Sequence, residues 1–229
     1  LLLPLSARGR VLGVLALLRR GDSPRYDDDD RALMEEVAGR AAAALDNALL
    51  LAEERATAAR LAVLQRATAE LSAAVTPAEV GAAAVAHLAR LVGDFSTVGV
   101  YEIDGPGAAL VPLALEKIDD TARPRLTSVP LQSPLVVAEA VREQRPLWVD
   151  DVEAPEWAAT HPGWADVLGG LGIRGVIAIP LIAGGRAVGV MGVGFRVPLR
   201  ECAIERSTLT ALAEQCAQAM DRARLYRAE

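Results

Sequence analysis

The 229-residue sequence is 52% hydrophobic and 24% charged, with a formal net charge of −6, the balance of a globular chain with a sizeable core. That charge excludes a nucleic-acid footprint, which needs clustered Lys and Arg, and no apolar run reaches the ~18 residues of a membrane span. Leu1-Leu2-Leu3 is too short for a signal h-region, and the two cysteines, Cys202 and Cys216, stand ~20 Å apart along one predicted helix, too far to bridge, so reduced thiols in a cytoplasmic protein are expected.

Residues 1–20 read as a β-hairpin, followed by a turn over Gly21–Pro24. Asp27, Asp28, Asp29 and Asp30 then invite a metal reading. A helix start explains them better, because acidic side chains accept bonds from the free N–H groups of the first turn and oppose the positive dipole end. Asp27 with Asp30 resembles a capping box with Asp in place of Glu or Gln. A calcium loop needs Gly and Glu at set spacing, so no metal is expected. From Asp27 to about Val75 there is no proline and only one glycine, Gly39, among strong helix formers. One helix there would be roughly 70 Å long, and a break near Glu53–Thr57 is the alternative. Leu61, Leu64, Thr68, Leu71 and Val75 follow a heptad pattern. An alanine stripe (Ala38, Ala41, Ala48, Ala52, Ala59) precedes them, so part of this helix is expected to be a connector or a dimer seam.

Thr76 and Pro77 open a second helix running to about Leu91. Strands are expected over Phe95–Ile103, Ala108–Glu116 and Leu126–Leu131. Ser133-Pro134 starts a short helix, and Pro146–Val149 is a short strand. Asp150–Gly172 is irregular and holds Trp157, His161 and Trp164. A second hairpin follows, Gly175–Ala183 and Ala187–Phe195 around Gly184-Gly185. A helix from about Ile204 to Tyr226 ends the pattern.

The hairpin occurs twice. Leu3-Pro4-Leu5 and Gly9–Val14 match Ile179-Pro180-Leu181 and Gly185–Val190 at an offset of 176. The helices match at 175, with Met34, Val37, Ala38, Leu45 and Asp46 falling on Leu209, Leu212, Ala213, Met220 and Asp221. The stretch from "IPLIAGGRAVGVMGVGF" into "LTALAEQCAQAMDRARLY", together with the element order of residues 60–229, closely resembles a GAF domain. Residues 1–54 resemble the C-terminal part of another, truncated one, with 55–75 as a helical connector. The resemblance implies an α+β fold: a six-stranded antiparallel sheet with the terminal helices on one face, and small helices and loops covering a ligand pocket on the other. It also implies a sensory and dimerisation module of a bacterial signalling protein. Such a module pairs as a homodimer through helices and acts on an output domain in the same polypeptide, such as a PP2C-like phosphatase or a histidine kinase. The alternative is a ligand-free dimerisation scaffold. Two strands and a helix cannot bury a core alone, so residues 1–20 are expected to pair with another sheet edge or to be poorly ordered.

Candidate chemistry is sparse. There is no Gly-x-Ser-x-Gly, Walker loop or Cys-x-x-Cys, so no catalysis and no cofactor are expected beyond a small-molecule effector. Asp150 and Asp151 read as a strand end. His161 could serve as an axial haem ligand, though a loop histidine before a proline is the simpler account, and His87 is expected at the surface. Cys216 falls on Ala41 in the repeat and is expected to be a packed thiol. The residues expected at the pocket are Val100, Trp148, Trp157, His161, Trp164 and Arg174, because aromatic surface concentrates there. Arg174 would either counter an anion or pair with Asp166 or Glu153. The expected dimer seam is Leu61, Leu64, Leu71, Leu212, Met220 and Leu225.

Overall fold

The computed structural model describes residues 1–19, 21, 24–104, 107–118, 123–161, 168 and 171–228. They form two compact units, Leu1–Ala62 and Val63–Glu229. In the first, β1 (Leu2–Ala7) and β2 (Arg10–Ala16) make an antiparallel hairpin. Arg8 and Gly9 both take positive φ at its turn, 48° and 76°, the handedness that matches strand twist in a two-residue loop. Arg8 pairs with Asp46 at 3.0 Å. At the other end of the hairpin Arg19 pairs with Asp30 at 2.8 Å and covers the Tyr26 ring. Leu3, Ala38 and Ala42 are buried, so only Ala38 of the expected alanine stripe is. Among the described residues of the chain β1 and β2 pair with each other, and Leu2 and Leu18 are 70% and 94% exposed.

Helix α1 runs unbroken over Asp28–Ala73, with no interruption at Glu53–Thr57. Thr57 and Thr68 donate their hydroxyls to the Glu53 and Leu64 carbonyls, both at 2.9 Å, which keeps a β-branched polar residue tolerable inside a helix. Its start is the reciprocal cap expected of the aspartates. Asp30 N–H donates to Asp27 Oδ1 at 2.8 Å, and Asp27 N–H donates to Asp30 Oδ2 at 3.3 Å.

The second unit is built on a six-stranded antiparallel sheet, in the order β5-β4-β3-β8-β7-β6. The strands are β3 (Thr97–Ile103), β4 (Ala109–Glu116), β5 (Val129–Pro130), β6 (Leu147–Val149), β7 (Gly175–Ala183) and β8 (Arg186–Phe195). The strand expected over Leu126–Leu131 is instead the short helix α3 (Arg123–Leu126) and then the two-residue β5; Pro130 has no N–H to give the ladder, and Leu131 N–H donates to the Ala108 carbonyl at 3.0 Å. The β7–β8 hairpin repeats the β1–β2 hairpin down to its irregularity. Each shifts register after a Leu–Gly pair, Leu5↔Gly13 in one and Leu181↔Gly189 in the other.

Alternation divides the inner strands between two apolar layers. Val98, Val100, Ile177, Ile179, Leu181 and Phe195 face a helical layer. That layer is α2 (Pro77–Val92), α6 (Arg206–Ala228) and, from the end of α1, Ala67 and Leu71. Tyr101, Leu110, Val176, Ala178 and Val190 face the opposite layer, made by α4 (Val136–Glu143) and the segment around Leu168 and Ile173. The irregular stretch also contains α5 (Pro155–Thr160), whose proline sits where a helix tolerates it. His87 is on the inner side of α2 and 2% exposed, against the expectation of a surface position. Its Nε2 lies 2.9 Å from Glu70 Oε2, near enough for an ion pair but off the line of a hydrogen bond.

Helix α2 starts with a full capping box. Glu79 N–H donates to Thr76 Oγ1 at 3.2 Å, and the Glu79 carboxylate accepts from the N–H groups of Thr76 and Val75 at 3.0 and 2.8 Å. These backbone bonds, Thr76's first, hold the Glu79 carboxyl below its ordinary 4.5. One turn on, Gly81 sits against β4 so closely that a Cβ would stand 2.4 Å from Leu113 Cβ.

Two stability predictions follow from this end of α2. Thr76→Ala is expected to cost about 1 kcal/mol and Gly81→Ala about 1–3 kcal/mol through overpacking, read by urea denaturation. Because the folded pKa of Glu79 is lowered, its stabilisation is complete above 4.5 and is lost as pH falls through the folded value. Glu79→Gln should therefore flatten the acid limb of the stability–pH curve, and an unchanged limb would refute the cap's role in it.

Candidate functional site

Between the sheet and α4 lies a half-open cavity with about 70 Å³ open to a water-sized sphere. Its floor is the strand pair β3–β8, where Gly99 faces Gly192 and Thr97 faces Gly194 across the ladder. Its walls are Leu135, Val136 and Val137 from the start of α4, Leu126 from α3, and Leu168, Leu171 and Ile173 from the segment before β7. The glycines let the walls descend onto the sheet. A Cβ on Gly192 would stand 2.8 Å from Val137 Cγ1, and one on Gly194 would stand 2.9 Å from Ile173 Cδ1. Leu115 Cδ2 closes over Gly99 in the same way, at 2.6 Å.

Among the described residues the cavity lining carries two polar side chains, Thr97 and Tyr101. The Thr97 hydroxyl lies within reach of the Glu116 carbonyl, at 3.4 Å. Tyr101 is 4% exposed, and burial alone pushes its phenol above the ordinary value of 10.

None of the five described residues expected at the pocket lines this cavity. Val100 is fully buried on the helical face of the sheet, one residue out of phase with Tyr101. Trp148, at the sheet edge, lies under the Arg206 guanidinium, 4.9 Å from ring centroid to Cζ. Trp157 and His161 stack at 4.2 Å on α5 and its C-cap. His161 Nε2 is 3.5 Å from Glu139 Oε2, and Nδ1 is 2.9 Å from Thr160 Oγ1. Arg174 binds the Asp151 carboxylate through Nη2 and through Nε at 3.2 Å, with Glu153 at 3.3 Å. Its charge is thus spent on tying the loop after β6 to the start of β7. Trp164 and Asp166 lie outside the described residues. The strand glycines on β3 and β8 are the signal that could have located the floor, since glycine inside a strand marks a close approach.

Asp150 caps the turn before α6, accepting from Arg200 N–H at 2.8 Å and from the Arg200 guanidinium. These bonds, the backbone one first, lower its pKa. A separate cleft of about 300 Å³ runs from Trp148 and Asp150 to Cys202 and Arg206. Burial and neighbouring carboxylates, Glu201 first, raise the Cys202 thiol, and full burial pushes Cys216 up to about 12. Among the described residues no helix is long and apolar enough to cross a membrane, and no three His, Cys, Asp or Glu side chains converge on a metal-sized point.

The sequence profile described as GAF domain matches residues 1–46 and 74–221. No curated protein matches significantly. Among solved structures, the GAF domain of a Coxiella burnetii phosphoenolpyruvate-protein phosphotransferase aligns at 18% identity and TM-score 0.59, covering 74% of this chain and 97% of that one. Residues 122 to 287 of a methyl-accepting chemotaxis protein align at 19% and 0.56, covering 71% and 99%. The free methionine-R-sulfoxide reductase of Neisseria meningitidis, solved with its substrate, aligns at 20% and 0.56, covering 71% and 89%. That last structure corrects the expectation of no catalysis: an enzyme shares this fold, so missing motifs of other folds do not exclude activity.

The two thiols give a direct check on the packing. Native protein treated with an aromatic disulfide at neutral pH is expected to label Cys202 slowly and Cys216 not at all, with both labelling in denaturant. Equal native labelling, read by intact mass, would contradict the burial of α6.

Proposed function

The chain belongs to the GAF domain family, and from that premise we propose that it is a sensory module that binds a small molecule and relays binding through its helices to an output domain in the same polypeptide. The observation that carries the reading is the cavity on the sheet face opposite the long helices: one side of the sheet can respond to a ligand, and the other is welded to α2 and α6. A ligand that prefers one packing of α4 and the Leu168–Ile173 segment shifts the population of states of the sheet between them. The chemotaxis protein among the structural relatives supports a signalling role by analogy of fold.

Two further parts belong to this proposal. Residues 1–54 are read as the C-terminal part of a preceding GAF copy, on the strength of the matched register and bulge of the two hairpins. Pairing of two chains is assigned to α1 and the end of α6. The expected seam narrows, since Leu71, Leu212 and Met220 are consumed by the core of their own chain. Leu61 and Leu225 stay 55% and 64% exposed, and Leu64 is half-buried.

Native mass spectrometry of the freshly purified chain should show a dimer carrying a small added mass that is lost on denaturation. A bare dimer would move the reading to a ligand-free scaffold. Leu64→Glu should convert the dimer to a monomer, and an unchanged mass would sink the α1 seam.

A further inference from the structure

His87 holds a place on α2 that core packing does not explain. It is 2% exposed, and among the described residues its Nε2 is buried without a hydrogen bond. The charged group it meets is Glu70, from the last turns of α1, whose Oε2 stands 2.9 Å away but off the line of a hydrogen bond. The same oxygen lies 4.0 Å from Arg90 Nη2, and the Glu70 side chain is 45% exposed. A buried polar nitrogen without a hydrogen bond costs free energy in the packed state and recovers it on meeting water. Val80, Ala84 and Leu88, buried on the same helix, have no such gain to make.

The element that brings Glu70 to this spot is lightly held. Over residues 63–73 the buried side chains are Ala67 and Leu71, and Val63 and Leu64 are half-buried. Thr68 comes only within 3.5 Å of Gln215 on α6. One leucine and one alanine therefore supply most of the apolar hold.

We propose that residues 63–73 of α1 are a strap that lifts from α2 and α6 while the sheet and those two helices stay folded, with His87 as the positioning residue that keeps the docked state reversible. Glu70 draws the strap down, and the poorly satisfied imidazole beneath it limits how firmly it stays. Lifting exchanges the burial of Leu71 and the Glu70–His87 contact for hydration of both polar groups. Because α1 is one helix over Asp28–Ala73, the docked or lifted state of its last turns is mechanically continuous with the rest of that helix. The strap needs no ligand, so its failure would leave the sensor reading standing.

Native-state hydrogen exchange on the full chain tests it. Amides of residues 67–73 should exchange through a local opening, roughly tenfold or more faster than the buried amides of α2 and of residues 209–220. His87→Leu removes the unsatisfied nitrogen and leaves Glu70 its water, so it should slow the strap amides roughly three- to tenfold, the worth of one hydrogen-bonding group. Glu70→Gln, a change at a half-exposed site, should speed them by a similar factor. Faster exchange in His87→Leu would make His87 an ordinary support of the docked helix and overturn the proposal. So would unchanged exchange in Glu70→Gln, or strap amides as slow as those of α2 and α6 in the unaltered protein.

Discussion

A strand buried on both faces has no solvent side to which a polar residue can be assigned. That constraint governs the second unit. The β7 sequence Gly175–Ala183 contains no charged or hydroxyl side chain, and Leu181, Ile179 and Ile177 point one way while Val176 and Ala178 point the other. With polarity removed as a variable, only side-chain size can distinguish the two faces. The helical face is filled by large side chains, among them Phe195, Leu181 and Met191. The opposite face of β8 is cut back to hydrogen at Gly192 and Gly194, and that difference in size, not in polarity, leaves a cavity on one face and a filled core on the other.

The same constraint explains what the amino-acid pattern could and could not convey. The two hairpins, the aspartate cap and the Thr76 start of α2 were legible because each is local: turn glycines, a reciprocal pair three residues apart, a proline at the first helical position. The cavity floor was not, because alternation along Phe95–Ile103 tells which residues share a face but not which face is which when both are apolar. Val100, expected at the pocket, faces the helices, and its neighbour Tyr101 faces the other layer. The two described tryptophans of the expected pocket lie elsewhere than this cavity. Trp148 serves as a platform for Arg206 at the sheet edge, beside the separate cleft that reaches Cys202, and Trp157 as a platform for His161.

The helices show the converse difficulty. A heptad of leucines describes a stripe, and a stripe can be satisfied by its own chain. Leu71 lies one side of the point where α1 joins the core, and Leu61 lies the other. Nothing in their spacing marks the change. Arg174 teaches the same about charge: of its two readings, an anion or a carboxylate of its own chain, the second holds, with Glu153 as expected and Asp151 beside it.

The register shift shared by the two hairpins bears on the order in which the chain acquires its structure. A two-residue turn and a bulge a few residues away are decided within some twenty residues, so β7 and β8 find each other at little loop-closure cost. The neighbouring contact is of another kind. Thr97 meets Gly194, which closes a loop of roughly a hundred residues, a cost that grows only as the logarithm of length but must be met before any of the floor contacts exist. The hairpin is thus closed by a local contact, whereas the cavity floor, lying across the β3–β8 joint, depends on one of the long-range contacts of the unit.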